Sequence, residues 1–118
     1  MRILIAYEEQ HHLYSDAVED LLRRRRPHIS VVNVPLEGLA DQFERFAHHL
    51  VVCSESNRVD PGGMAAWIEF SPEPAEPSKF CLDGDHLEAS NPRLPELLEV
   101  VDEAEELVQR GRADLAGC

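Results

Sequence analysis

The chain has 118 residues, and 43% of them are hydrophobic, which suits one globular domain with its own core. Its formal net charge is −12: residues 1–59 carry seven Arg against nine acids, and residues 60–118 carry four basic residues against fourteen acids. Such a surface repels nucleic acid and anionic membranes, and no apolar run could span a bilayer. We expect no nucleic-acid or membrane partner and, because no leader-like segment opens the chain, a cytoplasmic protein.

The first half of the chain alternates between strand and helix patterns. Apolar residues fill 3–5, 29–34 and 50–53, which predicts three short buried strands. Helical spacing of apolar residues covers 11–26 and 36–46. Alternation of this kind predicts a parallel sheet joined by right-handed crossovers.

The second half is more irregular. Residues 65–70 predict a fourth strand, 80–82 predict a short fifth strand, and the last helix begins near Pro92 or Pro95 and stops at Gly111. Between strands three and four, the Pro-Gly-Gly centre of 57–63 is a poor helix. The joint between strands four and five carries three prolines, which exclude a helix there: Pro72, Pro74 and Pro77.

These elements predict an α/β fold. We expect a three-layer, flavodoxin-like parallel sheet in the order 2-1-3-4-5, with the third helix short or lost and the fourth helix lost. Residues 1–111 would form a single domain, and residues 112–118 would form a disordered tail.

Two segments carry a likeness to a known family. Arg2–Ala6 runs directly into Tyr7, Glu8 and Glu9, and the apolar run Leu50–Cys53 ends on Ser54. Over most of residues 1–110 the chain resembles a response-regulator receiver domain. The resemblance implies that Glu8 and Glu9 correspond to the acids that hold magnesium in that family. It also implies that Ser54 stands where receivers carry the phosphoacceptor Asp.

The resemblance extends to two further positions of the same pocket. Ser71 falls near the family's switch Ser or Thr, and Asp83 lies where the fifth strand of a receiver ends in a Lys. The chain's single lysine, Lys79, begins the predicted fifth strand and would therefore lie at the opposite end of the sheet. The resemblance thus implies a degenerate receiver pocket, without acceptor Asp or Lys, that does not run phosphotransfer.

The first functional prediction is a phosphorylation-independent pseudo-receiver that acts as a protein-interaction or regulatory module. Its fourth and fifth strands would be thinly covered if two helices are short or lost. We expect a protein partner, or a second copy of the chain in a homodimer, to contact strands four and five and the last helix. No resident cofactor is required by this interpretation.

The alternative is an enzyme that binds a small ligand or a divalent metal at the carboxyl ends of the strands, where open parallel sheets bind ligands. Carboxylates with imidazole suit a divalent cation such as magnesium. The candidate metal ligands are Glu8, Glu9, His11, His12 and Asp85. This interpretation requires the acids after strand one to converge with Asp83 or Asp85. A solvated acidic helix start, favoured by the helix dipole, is the competing explanation.

Two other groups of residues have structural explanations. Glu19 and Asp20 lie four residues before Arg23 and Arg24, the spacing of helical ion pairs, so we expect the basic run 23–26 to be paired rather than free. The three cysteines form no CxxC pattern and are expected to be buried, reduced thiols: Cys53, Cys81 and Cys118.

Overall fold

A computed structural model describes residues 1–38, 41, 49–53, 66–69, 77–82, 85–90 and 94–110. In these ranges the strands are β1 (Arg2–Tyr7), β2 (Ser30–Pro35), β3 (Leu50–Cys53), β4 (Ala66–Glu69), β5 (Pro77–Leu82) and β6 (Asp85–Ser90). The helices are α1 (His12–Arg25) and α2 (Leu94–Gln109), with 3₁₀ turns at Glu9–His11 and Leu36–Gly38. Most of the predicted second helix, the connection between β3 and β4 and the predicted tail lie outside the described residues.

The strands form one sheet in the order β2-β1-β3-β4-β5-β6. The first four strands in this order run parallel to their neighbours, which confirms the α/β class and the predicted order 2-1-3-4-5 for strands one to five. In the register, Ile5 of β1 lies between Asn33 of β2 and Val52 of β3. The strand that opens the chain is therefore interior to the sheet, with a partner on each side.

The fifth strand runs antiparallel to β4, so the prediction of an all-parallel sheet is wrong. Only residues 70–76 separate Glu69, the last residue of β4, from Pro77, the first of β5. A parallel return needs a crossover of about a dozen residues or more, usually a helix. The joint is too short for that crossover, and the chain pairs back antiparallel instead.

A sixth strand, which the sequence pattern did not predict, pairs antiparallel with β5. Leu82 pairs with Asp85, so only Asp83 and Gly84 separate the two strands. An Asp-Gly pair between two strand-like segments is a strong local hairpin signal. The segment from Asp85 onward is therefore a strand of its own and does not end the fifth strand.

The reversed strand also changes the position of the single lysine. Lys79 pairs with Glu69 of β4, and Glu69 pairs with Cys53, the last residue of β3. Lys79 therefore lies at the carboxyl end of the parallel strands, contrary to the expectation from the sequence. On its other side Lys79 pairs with Glu88 of β6, so the row alternates acid, base, acid.

The sheet has an apolar cluster on each face. On one face the side chains of β1 and β3 pack with Leu97, Val101 and Ala104 of α2, and α1 packs on the same face over β1 and β2. The opposite face buries a smaller cluster of described residues: Leu4, Ala6, Val51, Cys53, Trp67 and Cys81. The segments for which the sequence predicts a third layer lie mostly outside the described residues. Cys53 is buried and forms no disulfide, as expected, whereas Cys81 is disulfide-bonded, which corrects the expectation of a reduced thiol there.

Ion pairs stabilise the last turns of α1 and connect the residue after it to α2. Arg23 bonds to Glu19 at 2.7 Å and Arg24 lies 3.0 Å from Asp20, which confirms the predicted i,i+4 pairs. Arg26 reaches α2, where its Nε and Nη2 atoms each donate to Asp102 at 2.6 Å. This two-point contact lowers the pKa of the Asp102 carboxyl, chiefly through the hydrogen bonds from Arg26.

Near the same contact, Nε2 of His28 lies 2.8 Å from a carboxylate oxygen of Glu105 in α2. Arg26 and His28, which follow α1 in the chain, thus contact acidic residues of α2 beside the apolar core that the two helices share. No helix within the described ranges is long and apolar enough to cross a membrane.

The antiparallel register of β5 predicts the effect of reversing the charge of Lys79. Lys79→Glu places like charges opposite both Glu69 and Glu88, so the free energy of unfolding should fall by about 0.5–2 kcal/mol in denaturant titration. Lys79→Gln should lose less, because it removes attraction without adding repulsion.

The charge-inverted triple variant, with Glu69→Lys, Lys79→Glu and Glu88→Lys, keeps the alternation and should recover most of that loss. A triple variant no more stable than Lys79→Glu alone would contradict the register.

Candidate functional site

A cavity of about 230 Å³ lies at the carboxyl ends of β1 and β2, beside the first turns of α1. This volume corresponds to about eight water molecules, so the cavity suits a small or hydrated ligand. Its lining residues are Tyr7, Glu8, Glu9, His12, Ser15, Asp16, Glu19, Asn33, Val34 and Pro35. The position agrees with the general rule that open α/β sheets bind ligands beyond the carboxyl ends of their parallel strands.

The acids after β1 are positioned by a tight turn. The backbone N–H of His11 donates to the carbonyl of Glu8 at 2.8 Å, and the N–H of His12 donates to the carbonyl of Glu9. This 3₁₀ turn converts the buried strand into α1 within four residues. Glu8 and Glu9 consequently lie at the rim of the cavity, where the start of the helix favours negative charge.

His12 is oriented by a hydrogen bond to the backbone. Its Nδ1 lies 3.0 Å from the carbonyl oxygen of Glu9. A carbonyl can only accept, so Nδ1 must carry the proton, and in the neutral ring Nε2 holds the lone pair. The exposed His12 ring can therefore offer Nε2 to a ligand or a proton.

The side chains of Asn33 and Arg23 join α1 to β2 beside the cavity through hydrogen bonds. Nδ2 of Asn33 lies 3.1 Å from Oε1 of Glu19 and 3.4 Å from Oδ1 of Asp16. Arg23 donates to the other oxygen of Glu19 at 2.7 Å and to the carbonyl of Val31 at 2.9 Å. Both carboxylate oxygens of Glu19 thus accept hydrogen bonds, whereas Asp16 accepts one at Oδ1. A ligand would therefore be contacted mainly by Glu8, Glu9 and Asp16.

Tyr7 forms the buried end of the cavity. Its ring is 2% exposed and meets Tyr14 edge to face, with the ring centroids 5.4 Å apart. Burial raises the pKa of Tyr7 well above its ordinary value, and neighbouring Tyr14 and Cys53 add to the effect. Burial also raises the pKa of Tyr14 to about 12. Both phenols are therefore neutral at physiological pH, and the charge of the cavity comes from its carboxylates.

The lining is strongly acidic. It contains four carboxylates and one imidazole, and no Lys or Arg side chain is among its lining residues. Within the described ranges, no group of three or more His, Cys, Asp or Glu side chains is arranged to hold a metal ion directly. A cation bound here would be held by long-range attraction and through water rather than by a closed set of protein ligands.

Three of the predicted site residues meet at this cavity, and two do not. Glu8, Glu9 and His12 line it, but His11 does not; its ring faces Gln10. Asp85 is the first residue of β6 and pairs with Leu82 of β5. The neighbouring Cys81 pairs with Trp67, so this part of β5 lies beside the amino end of β4. Because β5 is reversed, Asp85 is on the order of 20 Å or more from the acids after β1. The predicted convergence of Asp85 with Glu8 and Glu9 is therefore wrong.

Three other predicted pocket residues lie outside the described part of the chain: Ser54, Ser71 and Asp83.

Sequence reasoning missed Asp16, Glu19 and Asn33. Asp16 and Glu19 follow His12 by four and seven residues, which places the three side chains on one helix face. Asn33 interrupts an otherwise apolar strand pattern. Together these signals indicate a polar contact between α1 and β2.

No family model matches the chain, and no curated protein or solved structure matches it either. The fold and the cavity therefore define the protein only as an α/β domain with a mixed sheet and an acidic cleft at one edge.

The buried tyrosine pair predicts the alkaline behaviour of the protein. Unfolded tyrosine ionises near pH 10, whereas both phenols of this chain have a raised pKa in the folded state. The stability they contribute is complete below about pH 10 and is lost as pH rises through the folded pKa. The folded protein should show little tyrosinate ultraviolet absorbance at about pH 11, and the signal should appear together with unfolding. Substantial tyrosinate at that pH with unchanged circular dichroism would contradict the buried pair, and Tyr14→Phe identifies the contribution of each ring.

Proposed function

We propose that this chain is a receiver-like regulatory module that does not accept a phosphoryl group and instead binds a small cation. The observation that carries the proposal is the cavity at the carboxyl ends of β1 and β2, lined by four carboxylates and one imidazole, with no Lys or Arg side chain among its lining residues. Converging carboxylates raise the local concentration of cations and exclude phosphate.

The proposed absence of phosphotransfer rests on two features, one of the sequence and one of the described carboxyl edge of the sheet. Ser54 offers a hydroxyl where a receiver offers a carboxylate. Lys79 is at this edge, but it is on β5, two strands from β3 and therefore about 10 Å to the side, between Glu69 and Glu88. A lysine between two acids is poorly placed to neutralise a phosphoryl group near β3.

The favoured ligand is a hydrated divalent cation such as magnesium, or a small organic amine. Magnesium keeps several of its waters in protein sites and binds through one or two carboxylates. The cavity has room for such an ion with its water shell, since its volume is that of about eight water molecules. A compact amine would use the same carboxylates, with its N–H groups donating to Glu8, Glu9 and Asp16.

Enzymatic activity is the second candidate, and the orientation of His12 favours it. Nδ1 is held by the carbonyl of Glu9, so Nε2 is free to take a proton at the mouth of the cavity. Glu8 and Glu9 line the same cavity. In this form the cavity would bind a small cationic substrate and His12 would act as a general base.

Isothermal titration calorimetry with magnesium, manganese and ethylenediamine tests the cation site. Binding should weaken at least tenfold in the variant Glu8→Gln, Glu9→Gln, Asp16→Asn. The matched control is Glu96→Gln, Glu99→Gln, Glu103→Gln, which makes the same change in net charge on exposed positions of α2. The control should change affinity by less than about twofold, because screened charges act weakly at a distance.

The cavity variant should also melt at a higher temperature than the native chain, since removing crowded like charges relieves repulsion. Absence of binding heat for all three cations, or equal weakening in both variants, would refute the site. Incubation with acetyl phosphate followed by intact mass measurement addresses the other half of the proposal: no phosphoryl adduct is expected, and a stoichiometric adduct would refute it.

We also propose a protein partner, with α2 as its main contact. The described apolar side chains of β4 and β5 are at most 9% exposed: Trp67, Ile68, Phe80 and Cys81. β6 also covers the free edge of β5. The exposed side of α2 carries Glu96, Glu99 and Glu103, so a basic partner suits it better than a second copy of this acidic chain. Multi-angle light scattering that gives a stable homodimer would favour the second copy.

We also propose a cytoplasmic location. The disulfide at Cys81 weighs against it, since cytosolic thiols are kept reduced. Counting the free thiols of the protein from its native cells, prepared without added reductant, tests the location. Every cysteine should be reduced if the protein is cytoplasmic.

A further inference from the structure

Two hydrogen bonds join the starts of β1 and β3. The backbone N–H of Arg2 donates to Nδ1 of His49 at 3.0 Å, and the backbone N–H of His49 donates to the carbonyl of Arg2 at 3.0 Å. On the other side, the N–H of Ser30 donates to the carbonyl of Met1 at 3.1 Å. The first two residues are therefore fixed between β2 and β3, and one of the three bonds uses a titratable acceptor.

The bond to the His49 ring exists only while the ring is neutral. An amide N–H can only donate, so Nδ1 of His49 must be unprotonated, and the neutral ring carries its proton on Nε2. A proton added to Nδ1 would face the amide hydrogen of Arg2. The bond would be lost, and two donors would be left without an acceptor.

The charges around the ring oppose protonation further. Two positive groups of the described residues act on the His49 ring, the α-amine of Met1 and the guanidinium of Arg2. An imidazolium would be a third positive charge at this end of the sheet. Among the residues that the structure describes, no carboxylate is a cause of the lowered pKa of His49.

We propose that His49 is an acid-sensitive latch that fixes the start of β1 to β3 at neutral pH and releases it when the ring is protonated. Burial, the α-amine of Met1 and Arg2 hold the pKa of His49 below its ordinary value of 6.5. Because the folded pKa is the lower one, the latch contributes stability above about pH 6.5 and loses it as pH falls through the folded pKa. This proposal is independent of the cation site, which lies at the opposite end of β1.

Nuclear magnetic resonance on the native chain tests the latch directly. A coupling across the hydrogen bond should connect the Arg2 amide nitrogen with Nδ1 of His49 at about pH 8 and disappear as His49 protonates below pH 6.5. The exchange protection factor of the Arg2 amide should then fall by about tenfold for each further pH unit. The proposal is overturned if the coupling is absent at pH 8, if it survives protonation, or if His49 titrates at or above 6.5.

Two variants separate the latch from general acid sensitivity. His49→Asn keeps an acceptor near the position of Nδ1 but does not titrate, so the Arg2 protection factor should become independent of pH between about 8 and 5. The control His28→Asn removes a histidine that pairs with Glu105 and should leave the native pH dependence of Arg2 unchanged. A pH dependence that persists in His49→Asn, or is lost in His28→Asn, would overturn the proposal. The measurement on the native chain stands even if a variant does not fold.

Discussion

Burial of β1 on both faces and both edges is the constraint from which the rest of the structure follows. Ile3, Leu4 and Ile5 are fully buried, and β2 and β3 pair with the strand on either side. Each such side chain contributes about 1.5–3 kcal/mol when it is removed from water. An apolar strand of this kind cannot occupy an edge, so the first residues of the chain form the middle of the sheet. The polar residues that follow Tyr7 are therefore delivered to the point where two parallel strands and a helix start meet.

The reversal of β5 divides the carboxyl edge of the sheet into two chemically different halves. Near β1 and β2 the edge is acidic, with Glu8, Glu9 and Asp16 around the cavity. Near β4, β5 and β6 it carries the alternating row of Glu69, Lys79 and Glu88. A parallel fifth strand would have brought Asp85 toward the acids after β1 and taken Lys79 away from this edge. The short connection between β4 and β5 thus determines that Lys79, and not Asp85, lies at the carboxyl edge of the sheet.

The local hydrophobic pattern of the sequence was sufficient to predict three strands and two helices. Apolar runs gave β1, β2 and β3, and helical spacing gave α1 and α2 to within a few residues. The direction of β5 was not recoverable from periodicity, because an apolar run such as Phe80–Leu82 has the same pattern in either direction. The length of the connection from β4 carries the direction of β5, and the Asp83-Gly84 pair carries the presence of β6.

The site was predicted in part for the same reason. Glu8, Glu9 and His12 follow a buried strand, so their position at its carboxyl end is a local consequence. Asp16, Glu19 and Asn33 belong to the site through the packing of α1 on β2, which places Asn33 against two helix carboxylates. A contact of this kind depends on how a helix is rotated about its axis over the sheet. That rotation is set by tertiary packing and cannot be predicted from the sequence of the helix or the strand alone.

The arrangement of strands also has a consequence for the order in which the chain folds. β5 and β6 are joined by two residues, and hairpins of this kind close in about 1–10 μs. β1 can complete its pairing only when β3 arrives, and the bond between Arg2 and His49 spans 47 positions of the chain. Pairing between distant segments is slow because loop entropy is lost before contacts compensate for it. We therefore expect the hairpin to form early and the central strand to be completed late, an order that φ-values at Phe80 and Ile5 would report. The residue translated first would then be among the last to reach its final place.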